Sequence, residues 1–198
     1  MSKGCLILED QFDDYAEGST GDPIWTPVEM ITWTRVVPAW RLRDRMMTVD
    51  IAAHELAYPR GVLAYCLAGE TSWRDYLLEV EVSFRHRGHT GGNVGIWGHY
   101  QENGGYELVL GQDGNTLKLV RADKGFTEFD FLQTVSTEVE LGPWYRLGLA
   151  FRGSQVDGYV DGKSLVSAVD STYQAGQIGL KVHDAAAAFR SVRVWMLV

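Results

Sequence analysis

Leu78-Glu79-Val80-Glu81-Val82-Ser83-Phe84 alternates apolar and polar side chains residue by residue. A period of two puts one set on each face of a strand, so Leu78, Val80, Val82 and Phe84 define a core face and Glu79, Glu81 and Ser83 the opposite one. The same rhythm continues downstream. Val94, Ile96 and Gly98 alternate with Asn93, Gly95, Trp97 and His99, and Glu102-Asn103-Gly104-Gly105 turns the chain into Tyr106, Leu108 and Leu110, which makes a hairpin. Gln112-Asp113-Gly114-Asn115 turns again into Leu117–Val120. Trp144–Phe151 and Val156–Val160 flank Gly153-Ser154, and Asp161-Gly162 leads into Ser164–Val166. Ile178, Leu180 and Val182 form one more strand, and Phe189, Val192 and Val194 a terminal one. Upstream, Trp40–Arg43 and Met46–Val49 read as strands, Trp25–Pro38 as an irregular loop, and Ala185–Ala188 as a short apolar loop. About twelve strands at this spacing predict an all-β, two-sheet antiparallel sandwich.

The composition agrees. Of 198 residues 22 are glycine and 45% are apolar, enough for one folded domain over 1–198 with a real core, and no Gly/Ser or charged linker divides it. Eighteen basic against 26 acidic side chains leave a formal charge of −8, with no basic run beside aromatic residues. That argues against nucleic acid and anionic membranes as partners. The apolar run Gly61–Ala68 falls far short of the ~20 residues of a membrane span. Met1-Ser2-Lys3-Gly4 leads toward the acidic Glu9-Asp10-Gln11-Phe12-Asp13-Asp14 rather than an apolar signal segment, so the default expectation is a cytoplasmic location. Cys5 and Cys66 match no metal spacing; they read as two buried thiols or as one disulfide. The oligomeric state is left open.

Trp144-Tyr145-Arg146-Leu147, Tyr159-Val160-Asp161-Gly162-Lys163, Gly176-Gln177-Ile178-Gly179-Leu180-Lys181 and Phe189-Arg190-Ser191-Val192-Arg193-Val194 resemble the concanavalin A-like lectin/glucanase superfamily. Gly92-Asn93-Val94-Gly95-Ile96 and Gly105-Tyr106-Glu107-Leu108 fit the same pattern. Within the superfamily they are most similar to the 3-keto-disaccharide hydrolase, or family 16-like, domain. The resemblance covers Leu77 to Val194 and implies a jelly-roll sandwich. It also implies that Glu107 and His183 sit in a cleft. Asp184 stands where that family commonly has glycine.

The superfamily hosts lectins, glycosidases and adhesive domains, so function has to be argued from side chains. Family 16 glycosidases set their carboxylates on one strand as Glu-x-Asp-x-x-Glu. The nearest analogue here, Glu79-Val80-Glu81-Val82-Ser83-Phe84, lacks the third acid. Alternation sends Glu79, Glu81, Trp97, His99, Glu107, Lys181 and His183 away from the core, and an exposed tryptophan beside carboxylates and imidazoles suits a sugar. Trp97 either stacks on such a ligand or packs under a loop, and Glu79 and Glu81 either serve it or form a solvated strand face. The expectation is a carbohydrate-binding, lectin-like domain working on a concave sheet. The alternatives are a glycoside hydrolase of the 3-keto-disaccharide type and an interaction domain without a small ligand. Asp10, Asp13, Asp14 and Asp170 are the candidates for one structural calcium ion; otherwise no cofactor is expected. His86-Arg87-Gly88-His89 reads as a solvated turn, and the five histidines, His54 among them, form no transition-metal pattern.

Overall fold

The computed structural model describes residues 2–28, 40–50, 63–88, 92–111 and 114–198. His54, His89, Gln112-Asp113, Gly61-Val62 and residues 29–38 of the expected loop lie outside them. The described residues contain no helix and fifteen strands. In chain order these are β1 (Lys3–Asp10), β2 (Thr26–Val28), β3 (Arg41–Arg43), β4 (Met46–Asp50), β5 (Leu63–Ala68), β6 (Tyr76–Arg87), β7 (Asn93–Gln101), β8 (Gly104–Gly111), β9 (Thr116–Asp123), β10 (Glu128–Ser136), β11 (Trp144–Arg152), β12 (Gln155–Val160), β13 (Lys163–Val169), β14 (Gln177–His183) and β15 (Ala185–Leu197).

They form two antiparallel sheets. The eight-stranded sheet runs β13-β12-β11-β6-β15-β4-β3, with β1 also paired to β15; the seven-stranded sheet runs β10-β9-β8-β7-β14-β5-β2. This is the two-sheet antiparallel sandwich expected from the alternation, and the jelly roll that the resemblance implies. Leu78, Val80, Val82 and Phe84 of β6 meet Val94, Ile96, Leu108, Leu119 and Leu180 of the other sheet in one core, all fully buried. Asp161 and Gly162 take the predicted turn with φ of 51° and 79°.

Three local readings differ. Ala185–Ala188 is not a loop but the start of β15, paired on both sides, with β6 and β4. Alanine has weak strand propensity, but two neighbouring strands satisfy its backbone and outweigh that preference. Cys5 is exposed rather than buried, and both cysteines are unpaired. His86 and Arg87 belong to β6 rather than to a turn.

His99 breaks the alternation of β7. The pairing of β7 with β8 shifts register between Gly98 and Gln101, and His99 has a φ of 47°. Its ring therefore lies inside the sandwich, stacked on Phe151 at 3.8 Å between centroids. Gly98 is what allows this close approach, because a Cβ there would come within 2.3 Å of the Phe151 ring. The variant Gly98→Ala is expected to lose about 1–3 kcal/mol of stability by overpacking, read as a lower urea midpoint at unchanged slope.

Candidate functional site

Around Trp97 the seven-stranded sheet is covered on both faces. On the face away from the core, alternation brings up Tyr65 on β5, Lys181 on β14, Trp97 on β7 and Glu107 on β8. Lys181 pairs across the backbone with Tyr65 on one side and Gly95 on the other, and Glu107 is opposite Trp97. Lys181 Nζ forms a short ion pair with Glu107 Oε2. Tyr65 directs its hydroxyl to Glu107 Oε1 at 3.5 Å. The pair is sequestered: Glu107 is 1% exposed and Lys181 8%. Burial, followed by the Glu107 charge, pushes the Tyr65 hydroxyl well above its ordinary pKa, so it stays a hydrogen-bond donor.

An aromatic cover closes the cluster. Trp97 is fully buried against Tyr65 (5.2 Å) and Phe126 (5.3 Å), and Phe126 stacks on Tyr100 at 5.2 Å. The Trp97 Nε1 donor is buried with no hydrogen-bond partner among the described residues. At the β7–β14 edge of the cluster, half-buried Asn93 approaches His183 Nδ1 at 3.4 Å. The arrangement offers an ammonium, a carboxylate, a phenol and an indole N–H within one small area of a sheet face.

Of the residues singled out by sequence, Trp97, Glu107, Lys181 and His183 share this face. Trp97 faces away from the core as expected but is covered, so it offers no open ring. His99 is elsewhere: it faces the core, with Nδ1 2.9 Å from the Tyr173 carbonyl oxygen and Nε2 2.7 Å from that of Arg74. Glu79 and Glu81 lie on the outer face of the other sheet, where they pair with Lys3 at 2.5 Å and Arg190 at 2.7 Å. Alternation tells which residues leave the core but not which sheet they leave it from.

The calcium candidates do not converge. Asp10 is saturated by protein donors: the Phe12 N–H at 2.7 Å, the Tyr15 hydroxyl at 2.6 Å and Trp25 Nε1 at 2.8 Å. Asp13 and Asp14 are exposed, Asp13 facing Arg45 at 3.3 Å. Asp170 accepts from the Tyr106 hydroxyl (2.6 Å), the Thr172 N–H (2.8 Å) and Arg121. No group of three or more metal-binding side chains comes together among the described residues. The oxygens of Asp10 and Asp170 are engaged by N–H and O–H donors, whereas Asp13 and Asp14 lie at the surface.

A family profile described as the 3-keto-alpha-glucoside-1,2-lyase-like domain matches residues 33–195. The chain belongs to that family. Among solved structures, a carbohydrate binding module, CBM66, from Bacillus subtilis is similar at 20% identity, covering 86% of this chain and 94% of its own, with a TM-score of 0.70. The beta-glucanase of Bacillus licheniformis is similar at 11% identity over 100% of both chains, with a TM-score of 0.66. A beta-1,3-glucanase from Mycobacterium marinum follows at 13% identity over 98% and 100%, with a TM-score of 0.65. At these identities the likeness establishes a shared fold. No curated protein matches the sequence.

Tyr65, Tyr100 and Phe126 complete the cluster and were not legible beforehand. Tyr65 sits in Leu63–Ala68, a strand buried on both faces, which reads as an unbroken apolar run with no alternation to single out one residue. Phe126 lies in a turn with a φ of 66°, where only the three-dimensional arrangement returns it over Trp97.

Two outcomes follow from these contacts. Glu107→Gln strands a buried ammonium and should cost about 3–5 kcal/mol, whereas the double variant Glu107→Gln/Lys181→Met should fall within about 1.5 kcal/mol of the native chain in chemical denaturation. For Asp170, burial alone would raise the carboxyl pKa, but the bonds from Tyr106, Thr172 and Arg121 outweigh it and hold the value at about 2. A folded pKa below the unfolded ~3.9 stabilises above pH ~4 and is lost as pH falls toward ~2. That stretch of the stability profile should flatten in Asp170→Asn.

Proposed function

We propose that the chain binds a carbohydrate on the outer face of the seven-stranded sheet, where Lys181 meets the ligand and the buried Glu107, bonded by Tyr65 beside Trp97, holds Lys181 in place. The observation that carries this reading is the buried Lys181–Glu107 pair on a sheet face away from the core. Two desolvated charges and an unpaired indole N–H are expensive in a purely structural role. Sugar hydroxyls donate and accept at once, so they match an ammonium and a carboxylate side by side. Family membership and the likeness to a carbohydrate binding module support the same ligand class. Lys181, the more exposed partner, is the group a ligand meets first, next to half-buried Asn93 and His183.

A second reading rests on the family description itself. In a 3-keto glucoside the C2 proton is acidified by the adjacent ketone. A base that removes it lets the C1 substituent leave as an alkoxide, which takes up a proton, and a C1–C2 double bond forms. In this reading Glu107 is the base, and Lys181 and Tyr65 stabilise the enolate oxygen. The 1% exposure of Glu107 weighs against this chemistry, since a catalytic carboxylate has to reach its substrate, whereas in the first reading Glu107 only has to hold the Lys181 ammonium that meets the ligand.

A glycan array followed by calorimetric titration of the best ligand tests the first reading. The folded double variant Glu107→Gln/Lys181→Met should bind at least about tenfold more weakly, the equivalent of one charge-assisted hydrogen bond. Undiminished affinity would remove the site. Release of aglycone from a 3-keto-α-glucoside that stops in the same variant would establish the second reading instead.

A further inference from the structure

The eight-stranded sheet carries a groove of about 550 Å³ on its own outer face. Its floor is alanine. Ala186 and Ala188 occupy outward positions of β15 between β4 and β6, where longer side chains would fill the trench. Arg41 and Arg43 rise from β3 on one side and Arg85 from β6 on the other. Two strands separate those walls, so the span is three inter-strand spacings, roughly 14 Å.

Three cations on this face are held by carboxylates. Arg190 holds Glu81 at 2.7 Å, Lys3 holds Glu79 at 2.5 Å and Arg193 holds Glu9 at 2.8 Å. Arg41, Arg43 and Arg85 form no ion pair among the described residues, although Asp44 and Asp50 border the same groove. Instead Arg41 donates to the Trp40 carbonyl at 2.7 Å, and Arg85 lies 4.0 Å from Met46 Sδ and 5.2 Å from the centre of the Trp144 ring. These contacts orient the guanidinium groups without neutralising them. Three arginines against two aspartates leave the groove net positive on a chain of formal charge −8.

The chemistry that fits is a row of anions on a chain without bulky side groups. Guanidinium forks accept carboxylate and sulfate in bidentate geometry. The alanine floor provides no deep apolar pocket to seat a peptide side chain. The nearby Trp144 ring is already occupied by Arg190 at 4.0 Å, so stacked nucleobases find no open platform. We infer that this groove binds an anionic polysaccharide, with Arg41, Arg43 and Arg85 taking its carboxylate or sulfate groups. The inference goes beyond the function proposed above and concerns the opposite sheet, so the two stand or fall separately.

Affinity electrophoresis of the full chain tests it, with polygalacturonate as the carboxylate probe, dextran sulfate as the sulfate probe, dextran as the neutral control and a single-stranded oligonucleotide as the competing polymer. At least one acidic polysaccharide should retard the native chain at low salt and release it by about 0.5 M, where screening is short-ranged. Whichever of the two retards it identifies the anion. Each Arg→Gln change should weaken retardation about tenfold. Arg43→Gln serves as the variant least able to disturb folding because Arg43 is exposed, and the triple variant should abolish retardation while melting normally. Failure of both acidic polymers, undiminished retardation of the triple variant, or equal retardation by the oligonucleotide overturns the inference. Neutral-glycan binding at Lys181 and Glu107 should be unchanged in the triple variant, which keeps this result apart from the test of that site.

Discussion

The pairing of β6 with β15 decides which side chains face the interior, and most of the molecule inherits that decision. Val82 is opposite Phe189, Val80 opposite Val192 and Leu78 opposite Val194. A slip of one residue would drive Glu79 and Glu81 into the core and turn the apolar set out to water. The apolar residues of β15 are not evenly spaced, however: three positions separate Phe189 from Val192 and two separate Val192 from Val194. The extra residue is absorbed at Ser191, which has a φ of 54° and lies at the register shift between Arg190 and Val192. The bulge brings both halves of the strand into phase with the same core.

The other sheet satisfies a different constraint, because it has no face left for water around Trp97. Tyr65, Trp97 and Ala122 form a small second cluster beneath Phe126 and Tyr100. A lysine and a glutamate inside such a cluster would ordinarily be selected against. Their mutual pairing makes them tolerable. The cost of this arrangement is what separates it from the surface pairs of the eight-stranded sheet. An exposed contact such as Arg193–Glu9 contributes little to stability either way.

Most of the fold was legible because β6, β7, β8 and β14 each send one alternate set of apolar side chains into the main core, and glycine or aspartate marks their turns. The site was half legible. Alternation assigned Trp97, Glu107, Lys181 and His183 to an outward set, but Glu79 and Glu81 carry the same signature and belong to the opposite sheet, since a period of two says nothing about which layer a strand joins. His99 misled for a separate reason: a single residue of positive φ inverts the side on which the next side chains emerge, and nothing in Gly98-His99-Tyr100 announces it. The partners of Asp10 and Asp170, singled out as calcium candidates, were not legible because a sequence does not show that a tyrosine hydroxyl lies 2.6 Å from each.

The two outer faces differ in how they hold charge, and this bears on what each can recognise. On the seven-stranded sheet opposite charges are packed together out of water, so the local field is strong but short-ranged and suits neutral, hydroxyl-rich groups that hydrogen-bond to both signs. On the eight-stranded sheet the charges of Arg41, Arg43 and Arg85 stay in solvent, where the surplus of acidic residues elsewhere might be thought to cancel them. Screening settles the matter: at physiological salt the Debye length is about 8 Å, shorter than the roughly 14 Å between the groove walls. An anion inside the groove therefore responds to the arginines it touches far more than to the net charge of −8. That net charge acts mainly on the approach, slowing encounter with a polyanion at low salt, while the groove itself sets how long the contact lasts.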